Sequence, residues 1–272
     1  MANTHSLDLE LSSSQYAYCA DNADVSITGD ITIEAWIKME QLPSTGGDLV
    51  VVAGKYDETD GRSYILAFRN TTDKPGIFYS GDGTSYTEIV ADTAWDGNDV
   101  GVWIHLAVAV DVSAKTAVFY INGASDGGNY VKGTQTSIDN NNSSFAIGAS
   151  NIETGVKNFL DGKIDEVRIH NTIRSGAWIA ANYQKEITPD ANCVGYWKLN
   201  NDYTDSAKSS DLTAGNDPVF DTDRPFDVGT NMQVNIGDTF KDVSAAQINI
   251  SDLWKSVTKA QVNIGNVWKT IF

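Results

Sequence analysis

Large apolar residues alternate with small or polar ones along much of the chain, most cleanly between Trp103 and Gly123, in WIHLAVAVDVSAKTAVFYING. From Ile104 to Val110 one parity reads Ile104, Leu106, Val108, Val110, and the other reads His105, Ala107, Ala109. A period of two is the strand period, and the larger set faces a core. A second run, AVFYI from Ala117 to Ile121, is β-branched and aromatic, and a polar turn separates it from the first. It stops at Asn122-Gly123, a pair that tolerates positive φ in a tight hairpin turn. The spacing predicts two long antiparallel strands forming a hairpin deep in a sheet.

The same period recurs in DITIEAWIKM, where Ile31, Ile33, Ala35, Ile37 and Met39 share one face and Thr32, Glu34, Trp36 and Lys38 the other. Trp36 on the polar parity is either half-buried by a neighbouring strand or exposed, and the first is expected. Residues 7–19 alternate like an edge or near-edge strand pair around a Ser-rich turn. Further strands are predicted at Leu49–Ala53, Tyr64–Phe68, Gly76–Ser80, Thr84–Val90, Phe145–Ala149, Phe159–His170 and Cys193–Leu199. One helix is predicted, from Ser175 to Lys185: Ser175 is a fitting N-cap, Ile179 and Tyr183 lie one turn apart, and Pro189 bars continuation. An all-β body with one short covering helix follows.

The last residues are an internal repeat: MQVNIGDTFKDVSA, AQINISDLWKSVTK and AQVNIGNVWKTIF, with Gln233, Gln247 and Gln261 in equivalent positions. Phe240, Trp254 and Trp268 keep the same step, as do Lys241, Lys255 and Lys269. Each unit reads as strand, turn, strand. A single hairpin cannot bury its own face, so the repeat is expected to build a shared core within the chain or between chains, with Phe240, Trp254 and Trp268 as the oligomerisation residues.

Charge divides the chain at the same place. The net charge is −17, and residues 1–230 carry 33 acids against 15 bases, while 231–272 carry three acids and four bases. The expected division is a sandwich over 1–228 and an assembly or anchoring repeat over 229–272. An acidic body excludes nucleic acid and anionic membrane as main partners. No apolar run approaches the roughly 20 residues of a membrane helix, so no membrane insertion is expected. The start, MANTHSLDLELSSS, shows no basic segment followed by an apolar one. Cys19 and Cys193 are either buried small apolar side chains or a disulfide pair, and three histidines without close spacing to them argue against zinc.

Candidate chemistry lies in loops. GKYDETDGRS clusters Asp57, Glu58 and Asp60, and oxygen ligands at Asp57 and Asp60 would suit calcium, although a solvated acidic loop fits as well. Trp95, in ADTAWDGND, is either a sugar-stacking platform with Asp96 and Asn98 beside it or a plug closing the end of the sandwich. Tyr130 sits in the longest irregular segment, Ala124 to Ser144, where binding residues on a rigid scaffold usually reside. Asp165 and Glu166, adjacent in a strand, are expected to point to opposite faces, which leaves no carboxylate pair for glycoside hydrolysis. No catalytic residue is expected.

The body resembles a laminin G-like module of the concanavalin A-like lectin/glucanase superfamily. SQYAYCA, DITIEAWIK, VWIHLAVAVD followed by AVFYING, and DGKIDEVRIHNTIRS carry the likeness, and CVGYWKLNNDYTDSAKSSDLTAGNDP resembles a segment often found beside such modules. The resemblance covers about residues 5–228 and implies a two-sheet antiparallel jelly-roll sandwich whose relatives mostly bind glycans or proteins, some through calcium. YWKLNN more often precedes such a module than follows it, so its strand is expected to close the sheet in a permuted order. The E-x-D-x-x-E triplet of the enzymatic branch is absent. The tail repeat is similar to C-terminal repeats of bacteriophage tail and fibre proteins. Together these resemblances imply a non-catalytic virion protein of the tail, fibre or capsid surface, assembled in the host cytoplasm with other virion proteins. Homo-oligomerisation, with a trimer as one form, and adhesion to host surface glycan go with it. The alternative is a secreted, extracellular lectin or glycosidase accessory module.

Overall fold

A computed structural model describes residues 3–46, 49–59, 61–128 and 133–226, together with the strands lying between 232 and 270. In chain order the strands of the body are β1 (Ser6–Leu9), β2 (Tyr16–Cys19), β3 (Ile31–Met39), β4 (Val50–Asp57), β5 (Gly61–Phe68), β6 (Pro75–Tyr79), β7 (Thr87–Val90) and β8 (Ile104–Asp111). There follow β9 (Thr116–Ile121), β10 (Ala124–Gly128), β11 (Phe145–Ile147), β12 (Gly162–His170), β13 (Cys193–Trp197), β14 (Thr213–Gly215) and β15 (Val219–Asp221). The helices are a single turn, α1 (Pro43–Gly46), and α2 (Gly176–Asn182).

These strands form two antiparallel sheets packed face to face, a concanavalin A-like jelly-roll sandwich. One sheet has the order β10-β9-β8-β3-β12-β1-β15, with β13 also on β12, and the other the order β14-β2-β11-β4-β5-β6-β7. Ile104, Leu106, Val108 and Val110 all lie in the core between the sheets, at 4% exposure or less. Each contributes roughly 1.5–3 kcal/mol by leaving water. The β9–β10 turn is tight because Asn122 and Gly123 both take positive φ, 50° and 78°. β1 and β2, expected to pair with each other, instead enter different sheets, and β14 and β15 cover them as the outer strands.

β13 lies in line with β1 along β12: β1 pairs with Gly162–Ile164 and β13 with Val167–His170. Glu166 takes φ +52° between the two, and the register against β3 shifts between Asp165 and Arg168. That bulge has a consequence for charge. It turns Asp165 and Glu166 to the same outer face instead of opposite ones, correcting the strict alternation expected of them.

Both outer halves of the eight-stranded sheet are covered. α2 seats Ile179 on Ala107, Ala109 and Tyr120, so the small parity of β8 is the groove that admits the helix. A Cβ at Gly176 would come within 2.9 Å of the Tyr120 ring, which explains glycine at the first turn. Ser175 Oγ accepts from Trp178 N–H as the expected N-cap (3.2 Å). Trp36 is 5% exposed, its ring covered by Tyr183 and Phe226 and its Nε1–H donating to the Tyr183 carbonyl (2.7 Å). Cover thus comes from two irregular segments and from the neighbouring strand β8, whose His105 ring lies 5.5 Å from that of Trp36. Cys19 and Cys193 are both buried free thiols, and burial pushes each up to about 12.

The chain divides into two compact units, Asn3–Phe226 and a second that holds Asp227–Phe272. In the second, β16 (Met232–Ile236) pairs with β17 (Thr239–Val243), β18 (Gln247–Ile250) with β19 (Leu253–Ser256), and β20 (Gln261–Ile264) with β21 (Val267–Thr270). All three hairpins share one register, pairing Asn235 with Phe240, Asn249 with Trp254 and Asn263 with Trp268. The side chains of Phe240, Trp254 and Trp268 lie outside the described residues.

Candidate functional site

Two clusters of titratable groups stand out, and burial separates them. The first lies on the outer face of the eight-stranded sheet under α2. Glu34 accepts from Nε2 of both His105 and His170 (3.1 Å each), with an Arg168 guanidinium nitrogen at 3.5 Å. Arg168 also donates to Glu166 (2.5 Å) and to the carbonyls of Asn182 (3.3 Å) and Lys185 (2.6 Å), and the Tyr196 hydroxyl donates to Glu166 (2.6 Å). Arg174 donates to His170 Nδ1 (3.0 Å) and bridges to Asp190. A guanidinium only donates, so His170 Nδ1 is the acceptor and its Nε2 carries the proton given to Glu34.

Burial opposes ionisation of Glu34, yet Arg168 and the two imidazoles hold its carboxyl well below the usual range. Burial also keeps both imidazoles below their usual value, against the opposing pull of Glu34. Asp165 is raised by burial and by Glu166 beside it, and Glu166 is raised by burial in turn. Glu34, Asp165, Glu166, Arg168 and His105 are all at 1% exposure or less, closed from solvent beneath α2 and the segment after it. The cluster is a clamp that holds α2 and the following segment onto the sheet.

The second cluster is open. Where β4 ends and β5 begins, three loops meet around a cleft of about 370 Å³ lined by Glu58, Thr59, Gly61, Arg62, Asp82, Gly83, Thr84, Asp139 and Asn141. The loops are tied together: Asp139 N–H donates to the Ser80 carbonyl (2.6 Å), Gly81 N–H to Gln135 Oε1 (2.9 Å), Arg62 N–H to the Gly83 carbonyl (3.1 Å), and Ser143 Oγ to the Gly61 carbonyl (2.9 Å). At the base, Lys55 is fully buried, paired with Asp21 (3.1 Å) and bonded to Asn141.

The carboxylates of the cleft differ in what they can still do. Glu58 is paired with Lys157 (2.6 Å). Asp82 Oδ1 takes the backbone N–H groups of Thr84 (2.9 Å) and Ser85 (2.7 Å) and the Ser80 hydroxyl (3.1 Å), and the two backbone bonds hold its pKa at about 2. The Ser85 hydroxyl adds a further hydrogen bond to this carboxylate. Asp139 has no hydrogen-bond or ionic partner for its carboxylate among the described residues, and it faces Gly83, where a Cβ would stand 3.2 Å from Oδ2. Beside the cleft is Tyr86, 47% exposed, with the Arg62 guanidinium 5.6 Å from its ring centre and the Phe78 ring 6.0 Å away. Free carboxylate oxygens, one guanidinium and an exposed aromatic ring therefore meet at one loop end.

Of the residues expected to bind ligand or metal, Trp95, Asp96 and Asn98 lie away from the cleft, and Asp57 is buried beside it. Trp95 is 3% exposed and packs edge-on against Phe68 (4.5 Å), so its ring is a plug and not a stacking platform. Asp96 and Asn98 are exposed but build their own turn, Asn98 N–H donating to Asp96 Oδ1 (2.7 Å). Phe68 ends β5 and Gly61 begins it, so Trp95 and the Asp57 loop sit at opposite ends of a strand about 23 Å long. Asp57 is buried, and both its oxygens accept from the Thr154 hydroxyl (2.7 Å each). Asp60 and Tyr130 lie outside the described residues. The described acids close enough to share a cation are Asp8, Glu10 and Glu40. A second cavity, of about 130 Å³, lies near the start of β4 between Leu42, Leu49, Phe159 and Asp161.

Sequence reasoning passed over Tyr86, Asp82 and Asp139. A signal for Tyr86 existed: Thr87 and Ile89 face the core, so alternation turns Tyr86 and Glu88 outward, next to the Gly81-Asp82-Gly83 turn.

Among solved structures, a candidate carbohydrate-binding protein of Bacteroides ovatus is similar at 16% identity with a TM-score of 0.62, covering 82% of this chain and 60% of that one. The chain thus spans less than two thirds of the Bacteroides protein. A heptameric SAP-like pentraxin of Limulus polyphemus is similar at 11% identity with a TM-score of 0.56, covering 82% of this chain and 97% of the pentraxin. No curated protein matches the chain. The family model of the concanavalin A-like lectin/glucanases superfamily, laminin G type, matches residues 11–180, more than half the chain. The chain therefore belongs to the concanavalin A-like lectin/glucanase superfamily.

Proposed function

We propose that this protein is a non-catalytic glycan-binding module and that the cleft of Arg62, Asp82 and Asp139 beside Tyr86 is its binding site. The observation that carries the reading is the Asp139 carboxylate, without a hydrogen-bond or ionic partner among the described residues and set in a cleft next to an exposed aromatic ring. Sugars present hydroxyl donors around an apolar face. Carboxylate oxygens accept those hydroxyls in charge-assisted bonds, Arg62 supplies a donor, and a tyrosine ring takes the apolar face. The carbohydrate-binding assignment given to the similar Bacteroides protein points the same way. Calcium at Asp57 has no part in this reading, because both oxygens of Asp57 are engaged by Thr154.

The tail supports assembly. An isolated two-stranded hairpin is marginally stable in water, and among the described residues the three hairpins pair with no other strand, so a role in joining copies or partners on a virion surface suits them. Multivalent display would then raise the avidity of a weak single site.

Binding of the full-length protein to a glycan panel, with and without Tyr86→Ala, tests the site. Loss of one stacking ring should weaken the best ligand about fivefold, corresponding to roughly 1 kcal/mol. Unchanged binding by Tyr86→Ala, or no binding of any glycan by the parent protein, would refute the assignment.

A further inference from the structure

We infer that the cleft selects glycans by charge, taking neutral and amine-bearing sugars and turning away those that carry carboxylate, sulfate or phosphate. The inference rests on the cleft being the glycan site and adds which class of glycan enters it.

Its basis is the uneven state of the charges lining the cleft. Glu58 is neutralised by Lys157 at 2.6 Å and adds little field. Asp82 is held well below the usual carboxylate range, because the backbone N–H groups of Thr84 and Ser85 stabilise its anion. Asp139 carries a second negative charge with no counter-ion among the described residues. The one cation among the lining residues, Arg62, donates to the Thr84 carbonyl and lies over the Tyr86 ring, and its single positive charge offsets only one of the two carboxylates. A hydroxyl entering here meets acceptors, and an ammonium meets acceptors with the opposite charge. An acidic group meets two like charges against one guanidinium, a net negative lining. The surrounding body deepens the discrimination, since residues 1–230 hold 33 acids against 15 bases and set up a negative field toward any approaching ligand.

Two side chains set the choice and can be changed without removing the loop bonds. Asp82→Asn keeps an oxygen acceptor for the Thr84 and Ser85 amides, and Asp139→Asn breaks no side-chain bond among the described residues. The experiment compares matched probes on the full-length protein at low and moderate salt: lactose against 3′-sialyllactose, and N-acetylchitotetraose against its deacetylated, amine-bearing form. The parent protein should bind lactose at least about fivefold tighter than 3′-sialyllactose, and the amine-bearing tetramer about fivefold tighter than the acetylated one, with both ratios shrinking as salt rises. The double variant Asp82→Asn/Asp139→Asn should bring both ratios toward one.

Equal binding of lactose and sialyllactose by the parent protein would overturn the inference while leaving the glycan site standing. Ratios that survive unchanged in the double variant would overturn it also, placing the selection outside the cleft. No binding of any probe, or binding insensitive to Tyr86→Ala, would remove the site itself and the inference with it.

Discussion

Replacing Arg168 with methionine removes the one cation that faces both Glu34 and Glu166 beneath α2. The guanidinium is 1% exposed and donates to Glu166 at 2.5 Å, to the carbonyls of Asn182 and Lys185 at 3.3 and 2.6 Å, and lies 5.0 Å from the centre of the Tyr196 ring. Methionine fills a similar volume but leaves two buried carboxylates without their counter-charge and two carbonyls without a donor. Breaking a buried ion pair from one side costs about 3–5 kcal/mol. Glu34 keeps its two histidines, so a value near the lower end, about 3 kcal/mol, is expected. At about 2–4 °C per kcal/mol for a domain of this size, the melting temperature should fall by about 10 °C. Thermal unfolding followed by circular dichroism reads the shift. Adding Glu166→Gln to Arg168→Met neutralises the stranded carboxylate and should restore part of the loss. A single variant that melts within about 2 °C of the parent, or a double variant that melts lower still, would refute the clamp.

Acid should loosen the same cluster: His105 and His170 are held below their ordinary 6.5, so their stability is complete above that pH and lost as pH falls toward their folded values. Glu34, lowered, adds a loss below about pH 4.5, while Asp165, raised, costs stability above its ordinary 3.8 and is relieved by acid. Glu166, raised, is likewise relieved by acid, so the histidine contribution is isolated by difference: from pH 7 to 5 the parent should lose more melting temperature, or gain less, than His170→Gln, which can still donate to Glu34 and accept from Arg174; equal slopes would contradict the assignment. Trp95→Ala should cost about 3–5 kcal/mol in urea unfolding as a buried aromatic is lost, with glycan affinity kept by the folded fraction. An unaltered midpoint would show that the ring is not a plug. Deleting 227–272 should lower the assembly state measured by light scattering while the body keeps its melting temperature, and an unchanged mass would end the assembly role.

Elements with one large apolar parity were legible from sequence, because burial on one face dictates strand, register and direction together. Ile104 to Val110 and Ile31 to Met39 show this, and so does Ser175 as a helix cap. The helix nevertheless ends at Asn182, three residues before its pattern did. Arg168, distant in sequence, takes the Asn182 carbonyl that a further turn would have used and the Lys185 carbonyl, for which Pro189 has no N–H to offer. Nor could alternation foresee Asp165 and Glu166 on one face, since a single residue at φ +52° breaks the period without any mark in composition. Trp95 and Asp57 misled for one reason: both stand among acids, glycine and polar residues in loops, yet each turns inward to finish a core or a hydrogen-bond set. The cleft needed tertiary structure to assemble, because its loops come from residues 58–62, 80–86 and 135–141 and only sheet pairing brings them together.

The location of the glycan site is tested most directly by following backbone amides of the isotope-labelled full-length protein by NMR while deacetylated chitotetraose is added. The account predicts saturable shifts concentrated at Thr59, Arg62, Thr84, Tyr86 and Asp139, with Trp95 and Asp96 unmoved. Shifts centred on the Trp95 loop, or on Gln41, Phe159 and Asp161 around the second cavity, with the cleft silent, would contradict it.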